Sequence, residues 1–256
     1  MRKALVPLLL AFGCLLAAVV LLPARLAGWV LPPSAIVADG YAGTLWRGRA
    51  ARALVATPGG YFHLGGLRWE LSPLSLLLAR PTATVEAAWA DQRLAGTVTW
   101  RGGDSLRLRD ARFAVDAALL KEVVPVALRG RIAGDLAQLA VAEGLVQRLE
   151  GRLTWERAAW DAPGSSFALG SYAVDFAPAA GRSQAEGQDA VQGEVLTLAG
   201  PLEAAGTLVL AERRYRIDLT LTSERSLPRP LAEALSLLAT PTDRGFRLVL
   251  DGELQR

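Results

Sequence analysis

Two hydrophobic patterns divide this chain. Residues 4–22 (ALVPLLLAFGCLLAAVVLL) are nineteen positions without a charge. Past residue 40, apolar and polar residues alternate with a period of two in several windows. About 20 apolar residues at ~1.5 Å rise cross the ~30 Å hydrocarbon core of a bilayer, so the first pattern predicts a transmembrane helix. Arg2, Lys3 and the α-amino group precede it, and the positive-inside rule holds that end in the cytoplasm. Arg25, just past the run, opposes this bias slightly. A cleaved signal peptide is the alternative; it would have a shorter apolar region of about 7–15 residues and a small-x-small site. Here Ala24 follows Leu22 by two positions and Ala27 follows Arg25, so neither makes such a site. A lipoprotein modified at Cys14 is a third reading, opposed by the eight apolar residues beyond it. Residues 28–34 (GWVLPPS) read as a membrane-exit linker, with Trp29 at the interface and Pro32-Pro33 stopping the helix.

The second pattern predicts β-strands. In residues 215–221, Tyr215, Ile217, Leu219 and Leu221 share one face while Arg216, Asp218 and Thr220 share the other. Phe246, Leu248 and Leu250 repeat the alternation, as do Leu106–Arg109 and Leu94–Trp100. One wet face and one dry face suggest antiparallel strands over a single core. Glycines fall before or inside these runs (Gly43, Gly66, Gly96, Gly130, Gly151, Gly193, Gly206), where turns or bulges would curve a sheet. Helix signals are few. Leu227–Ala239 has Leu231, Leu235 and Leu238 at helical spacing between Pro230 and Pro241; Ser72–Ala79 opens on Ser-Pro; Asp116–Val124 is capped by Asp116 and stopped at Pro125. Residues 178–190 read as a polar surface loop. The expected fold is therefore mainly β: an N-terminal transmembrane helix and exit over 1–31, then a curved, largely antiparallel β-sheet domain over 32–256 with a few short helices.

A motif recurs in that domain. Leu94–Trp100 (LAGTVTW) and Leu149–Trp155 (LEGRLTW) lie 55 residues apart, with a looser copy at 64–69 and an echo at 202–208. A duplicated β unit and convergence of short β patterns both account for it. Under either, the glycine permits a bulge, and the apolar residue and Trp share a face two positions apart.

Composition removes several function classes. Three of the 28 basic residues (Arg2, Lys3, Arg25) flank the apolar run, and the remaining 25 balance the 25 acidic residues. No basic block argues for nucleic acid. Cys14 is the only cysteine and His63 the only histidine, so a Cys/His zinc site cannot be assembled. No nucleophile-elbow, Walker or dinucleotide motif is present, and His63 reads as a structural residue in a strand. Asp110, Asp116, Asp175, Asp218 and Asp251 fall on wet faces or strand ends and read as solvated charges. We expect no catalytic residue, cofactor or metal. The candidate partner-interface residues are Trp46 and Arg47, in a turn of hot-spot residue types, and Trp160, expected near a sheet edge.

Residues 40–48 (GYAGTLWRG), 67–74 (LRWELSPL) and the stretch from Leu149 through Trp160 to Gly170 resemble the protein N family of type II secretion. The resemblance implies a non-enzymatic inner-membrane component of a bacterial protein-export machine, single-pass, with a periplasmic body and other inner-membrane or periplasmic components as partners. Weaker similarity to AsmA-like envelope proteins implies an alternative, an apolar β groove that binds or transfers lipid.

Overall fold

A computed structural model describes residues 17–30, 36–57, 60–122, 127–162, 164–178, 190–211 and 213–253. Residues 1–16, and with them most of the membrane segment predicted over 4–22, lie outside that set, as do residues 31–35 and the side chain of Trp29. Residues 17–20 (α1) are helical, followed by a 3-10 turn at Ala24–Leu26 and by α2 (Ala27–Val30). Among the described residues no helix is long and apolar enough to cross a membrane.

The chain forms two compact units, residues 1–90 and 91–256. The first carries β1 (Ile36–Asp39), β2 (Ala42–Gly43), β3 (Arg47–Thr57), β4 (Gly60–Leu71), α3 (Pro73–Leu77) and β5 (Thr82–Trp89). Its strand order is β1-β3-β4-β5, with the short β2 pairing beside β1 on the same edge of β3. The second carries β6 (Gln92–Trp100), β7 (Leu106–Asp116), β8 (Leu128–Ala142), β9 (Leu145–Ala162), β10 (Ser165–Pro178), β11 (Val191–Ala199), β12 (Glu203–Ala211), β13 (Arg214–Thr222), α4 (Arg229–Ser236), β14 (Thr240–Thr242) and β15 (Gly245–Glu253). These strands follow one another as an antiparallel meander until the end, where β15 inserts between β13 and β14. Simple hairpin connections explain why few helices are needed: parallel strands would require crossovers.

The predicted alternation becomes two registered rows in the second unit. Leu94, Phe113, Leu153, Val174, Val195, Leu219 and Leu248 stand opposite one another across the strands, with Gly134 and Gly206 completing the row. One residue along, on the other face, come Arg112, Asp135, Arg152, Asp175, Glu194, Thr207 and Asp218. Every large side chain of the apolar row is only partly buried. Buried positions are mostly alanines, and Val191 is the one large side chain among the described residues that is fully enclosed. Among the described residues, Ala158, Tyr172 and Ala204 form a buried cluster with Trp155, Leu169, Val195 and Leu221 packed around them.

Both full copies of the recurrent motif sit on register shifts. Gly96 marks the break between β6 and β7, and Gly151 faces the break near Leu136 between β9 and β8. Gly151 has φ +134°, and a Cβ there would collide with the carbonyl of Asp135. Only glycine accommodates that close approach, and the extra residue opposite bends the strand. All three helix expectations shorten, the one at 72–79 to Pro73–Leu77. The stretch at 116–124 is strand up to Asp116, then a 3-10 turn over Ala117–Glu122, with Asp116 Oδ1 accepting from the Ala118 amide at 2.8 Å; residues 123–126 lie outside the described set. Residues 227–239 form a helix only over Arg229–Ser236. Of the loop predicted over 178–190, residues 179–189 lie outside the described set.

Candidate functional site

Trp46 and Arg47 lie where β2 turns into β3. Thr44 and Arg47 close the turn, the Thr44 amide donating to the Arg47 carbonyl at 3.0 Å. Its tightness depends on Gly48, since a Cβ there would enter the Trp69 indole. Trp69 Nε1 donates to the Leu45 carbonyl at 2.9 Å, pinning the turn from β4. Tyr41 packs edge-on against Trp69, ring centroids 6.2 Å apart. Burial, and secondly the carboxylate of Asp39, pushes the Tyr41 phenol above its ordinary pKa.

The turn grips the end of the apolar N-terminal run. Trp46 Nε1 donates to the Val19 carbonyl at 2.8 Å, and the Leu45 amide donates to the Leu22 carbonyl at 2.7 Å. Pro23 and Thr44 form a β-bridge, and Ala24 beside them is fully buried. The Trp46 carbonyl accepts from the Leu71 amide at 2.7 Å. Trp46 is thus partly buried and bonded in two directions, while Arg47 is exposed.

Arg47 pairs with Glu70 opposite it at 2.7 Å. Their face continues as Arg49, Arg68 and Glu86, in register across β3, β4 and β5. Together with Ala42, Gly43 and Thr84 these residues border a shallow depression of about 480 Å³. Three guanidinium groups against two carboxylates give it an excess of positive charge, and Arg49 stands directly opposite Arg68. Such a surface offers charge-assisted hydrogen bonds to carboxylate or phosphate groups.

Trp160 belongs to the second unit. The structure places it in β9, an interior strand, between Leu128 of β8 and Phe167 of β10, instead of at a sheet edge. It stacks on Phe167 with ring centroids 5.7 Å apart and is partly buried. β9 is eighteen residues long, so a residue that alternation places near a strand's end still has neighbours on both sides. Close by, Asp161 holds its charge through Ser166 and then Arg129, which lower its pKa. His63 is exposed on β4, its ring 5.1 Å from Trp89. Among the described residues no group of three or more His, Cys, Asp or Glu is placed to hold a metal.

Sequence reasoning missed the grip on Val19 and Leu22, since nothing in the run's hydrophobicity indicates that its last turn bonds to residues 44–46. The GTLW-x-G motif was the available signal.

A family model described as type II secretion system (T2SS), protein N, matches residues 34–249. The chain belongs to that family. Two members named type II secretion system protein N are similar along nearly their whole length. The one from Aeromonas hydrophila is 28% identical over 235 residues, covering 88% of this chain and 87% of the relative. The one from Vibrio cholerae serotype O1 is 29% identical over 240 residues, covering 89% and 88%. No solved structure matches. The protein N match takes in the turn at 44–48, the bordering charges and Trp160.

Proposed function

We propose that this protein N family member is a non-enzymatic, single-pass inner-membrane component of the type II secretion system. In this reading residues 4–22 cross the membrane from a cytoplasmic N-terminus, residues 1–31 serve as tip, anchor and exit, and residues 32–256 form a periplasmic scaffold. The scaffold engages other inner-membrane or periplasmic components of the same machine. The observation that carries it is the family match over residues 34–249, joined to an uncharged run of nineteen residues ahead of it. The charged depression beside Arg47 is the proposed polar contact, with Trp46 setting its geometry. Trp160, stacked on Phe167, is proposed as an aromatic contact of the second unit.

The partly exposed apolar row from Leu94 to Leu248 favours a second reading, in which that face shelters acyl chains as an AsmA-like lipid-binding groove. One experiment separates the two. The tagged full-length chain is purified from its native membrane in mild detergent, and bound proteins and lipids are identified by mass spectrometry. Stoichiometric recovery of other secretion components is expected. Defined lipid without those components would replace the scaffold with the lipid reading, and release of the chain by alkaline carbonate would remove the anchor.

A further inference from the structure

Three of the five residues of the short helix α3 are leucines, a fourth, Leu78, follows directly, and the segment faces outward. Leu74 is 72% exposed, Leu77 83% and Leu78 74%, and no residue of the helix is buried. A surface helix ordinarily turns such residues onto the core, and exposed clusters of this kind mark contact surfaces. This segment is held firmly. The Ser72 amide donates to the Thr82 carbonyl at 2.9 Å, the Ser75 hydroxyl donates to the Ser72 carbonyl at 2.6 Å, and the Thr82 amide donates to Ser75 Oγ at 2.9 Å. The leucines are therefore presented by a hydrogen-bonded loop.

Its position ties it to the N-terminal run. Leu71, two residues before α3, bonds to the carbonyl of Trp46, whose indole bonds to Val19. One residue thus joins the end of the apolar N-terminal run to the root of α3. That run continues from residue 17 back to residue 4, beyond the described residues, as uncharged sequence. Both apolar stretches end in an exposed arginine: Arg25 three residues past Leu22, and Arg80 two residues past Leu78. Arginine at the edge of an apolar patch suits the phosphates of a lipid headgroup layer.

We propose that α3 is a second membrane contact, its leucines seated at the headgroup–acyl boundary of the bilayer that residues 4–22 enter. This rests on reading residues 4–22 as membrane-spanning. The occupant is a lipid surface, because α3 follows by two residues the Leu71 that bonds Trp46, the residue that holds the last turn of the apolar run at Val19.

The test uses the full-length chain in vesicles of phosphatidylethanolamine and phosphatidylglycerol, with an environment-sensitive fluorophore on one cysteine. The native Cys14 reports the anchor. Leu77→Cys, in a Cys14→Ala background, reports α3. Tyr61→Cys in the same Cys14→Ala background, ten residues back along β4 from Leu71 and hence about 33 Å away, is the control. All three labels are read against lipids carrying a doxyl quencher near the headgroup or near the chain end. The expected result is headgroup-level quenching at position 77 at least about threefold above that at position 61, with chain-end quenching at position 14. Quenching at 14 but not at 77 overturns the α3 contact and leaves the anchor standing. No quenching at either overturns both. Quenching at 77 without quenching at 14 removes the anchor and overturns the proposal that α3 is a second contact beside it. A blue shift at 77 without lipid quenching places the leucines against protein and overturns the proposal.

Discussion

On one face of the second unit, Arg112, Asp135, Arg152 and Asp175 stand in register across four strands; on the other, Phe113, Gly134, Leu153 and Val174 do. Within the polar row Arg112 pairs with Asp135 and Arg152 with Asp175. Arg152 and Asp175 make two parallel hydrogen bonds, at 2.5 and 2.6 Å, and Arg247 does the same with Asp218 at 3.1 and 2.8 Å. Its members remain well exposed, so screening and side-chain entropy cancel most of the attraction. The apolar row has no such internal pairing. It gains only by leaving water, and it leaves water partly. The fold is thus held by the face that still has surface to cover.

Three consecutive residues of β9 break this comparison in order of effect. Gly151→Val strains the backbone at φ +134° and drives a side chain against Asp135 and Leu136. It is expected to cost about 3 kcal/mol or to prevent folding, read by urea denaturation. Leu153→Ala, on the apolar face, is expected to cost about 2 kcal/mol, the low end for a core truncation because the site is partly exposed.

Tyr172→Phe comes next. The hydroxyl lies 2.9 Å from the carbonyls of both Leu169 and Leu202, and its loss is expected to cost about 1 kcal/mol near neutral pH. Burial raises this phenol from 10.0 to about 12. The folded state then keeps its proton while the unfolded state releases it. Stability contributed by Tyr172 is complete below pH 10 and is lost as pH rises toward 12. In the Phe variant this alkaline loss disappears from the denaturation midpoint.

Arg152→Ala is the smallest. No shift of the midpoint in about 1 M salt is expected, where exposed pairs are screened. Its signature is at low pH. The hydrogen bond from Arg152, followed by its charge, holds Asp175 below the usual carboxylate range. The wild type therefore carries a small stabilisation that is lost as pH falls through that range, and the variant does not. A large effect of Arg152→Ala, or none from Leu153→Ala, would invert the assignment of the two faces.

Strand positions were legible wherever alternation ran unbroken: residues 215–221 fall in β13, 246–251 in β15 and 94–100 in β6. The length of β8 and β9 was not, because bulges near Leu136 and Arg157 shift the period of two by one residue. Periodicity also reports which face a residue takes and not what lies over it, so the partial exposure of Leu153 or Leu219 could not be read. Trp46 was marked by its residue type, but its bonds to Val19 and Leu71 join positions 27 and 25 residues away, which no local pattern encodes.

The grip of residues 44–46 on Val19 and Leu22 has a mechanical consequence. Two backbone carbonyls, a β-bridge at Pro23 and the buried Ala24 tie residues 19–24 to the first sheet. A displacement of residues 19–24 is passed to the β2–β3 turn, and a pull on that turn is passed back to them. Where a flexible stalk would absorb either motion, this joint behaves as a welded bracket and passes it on.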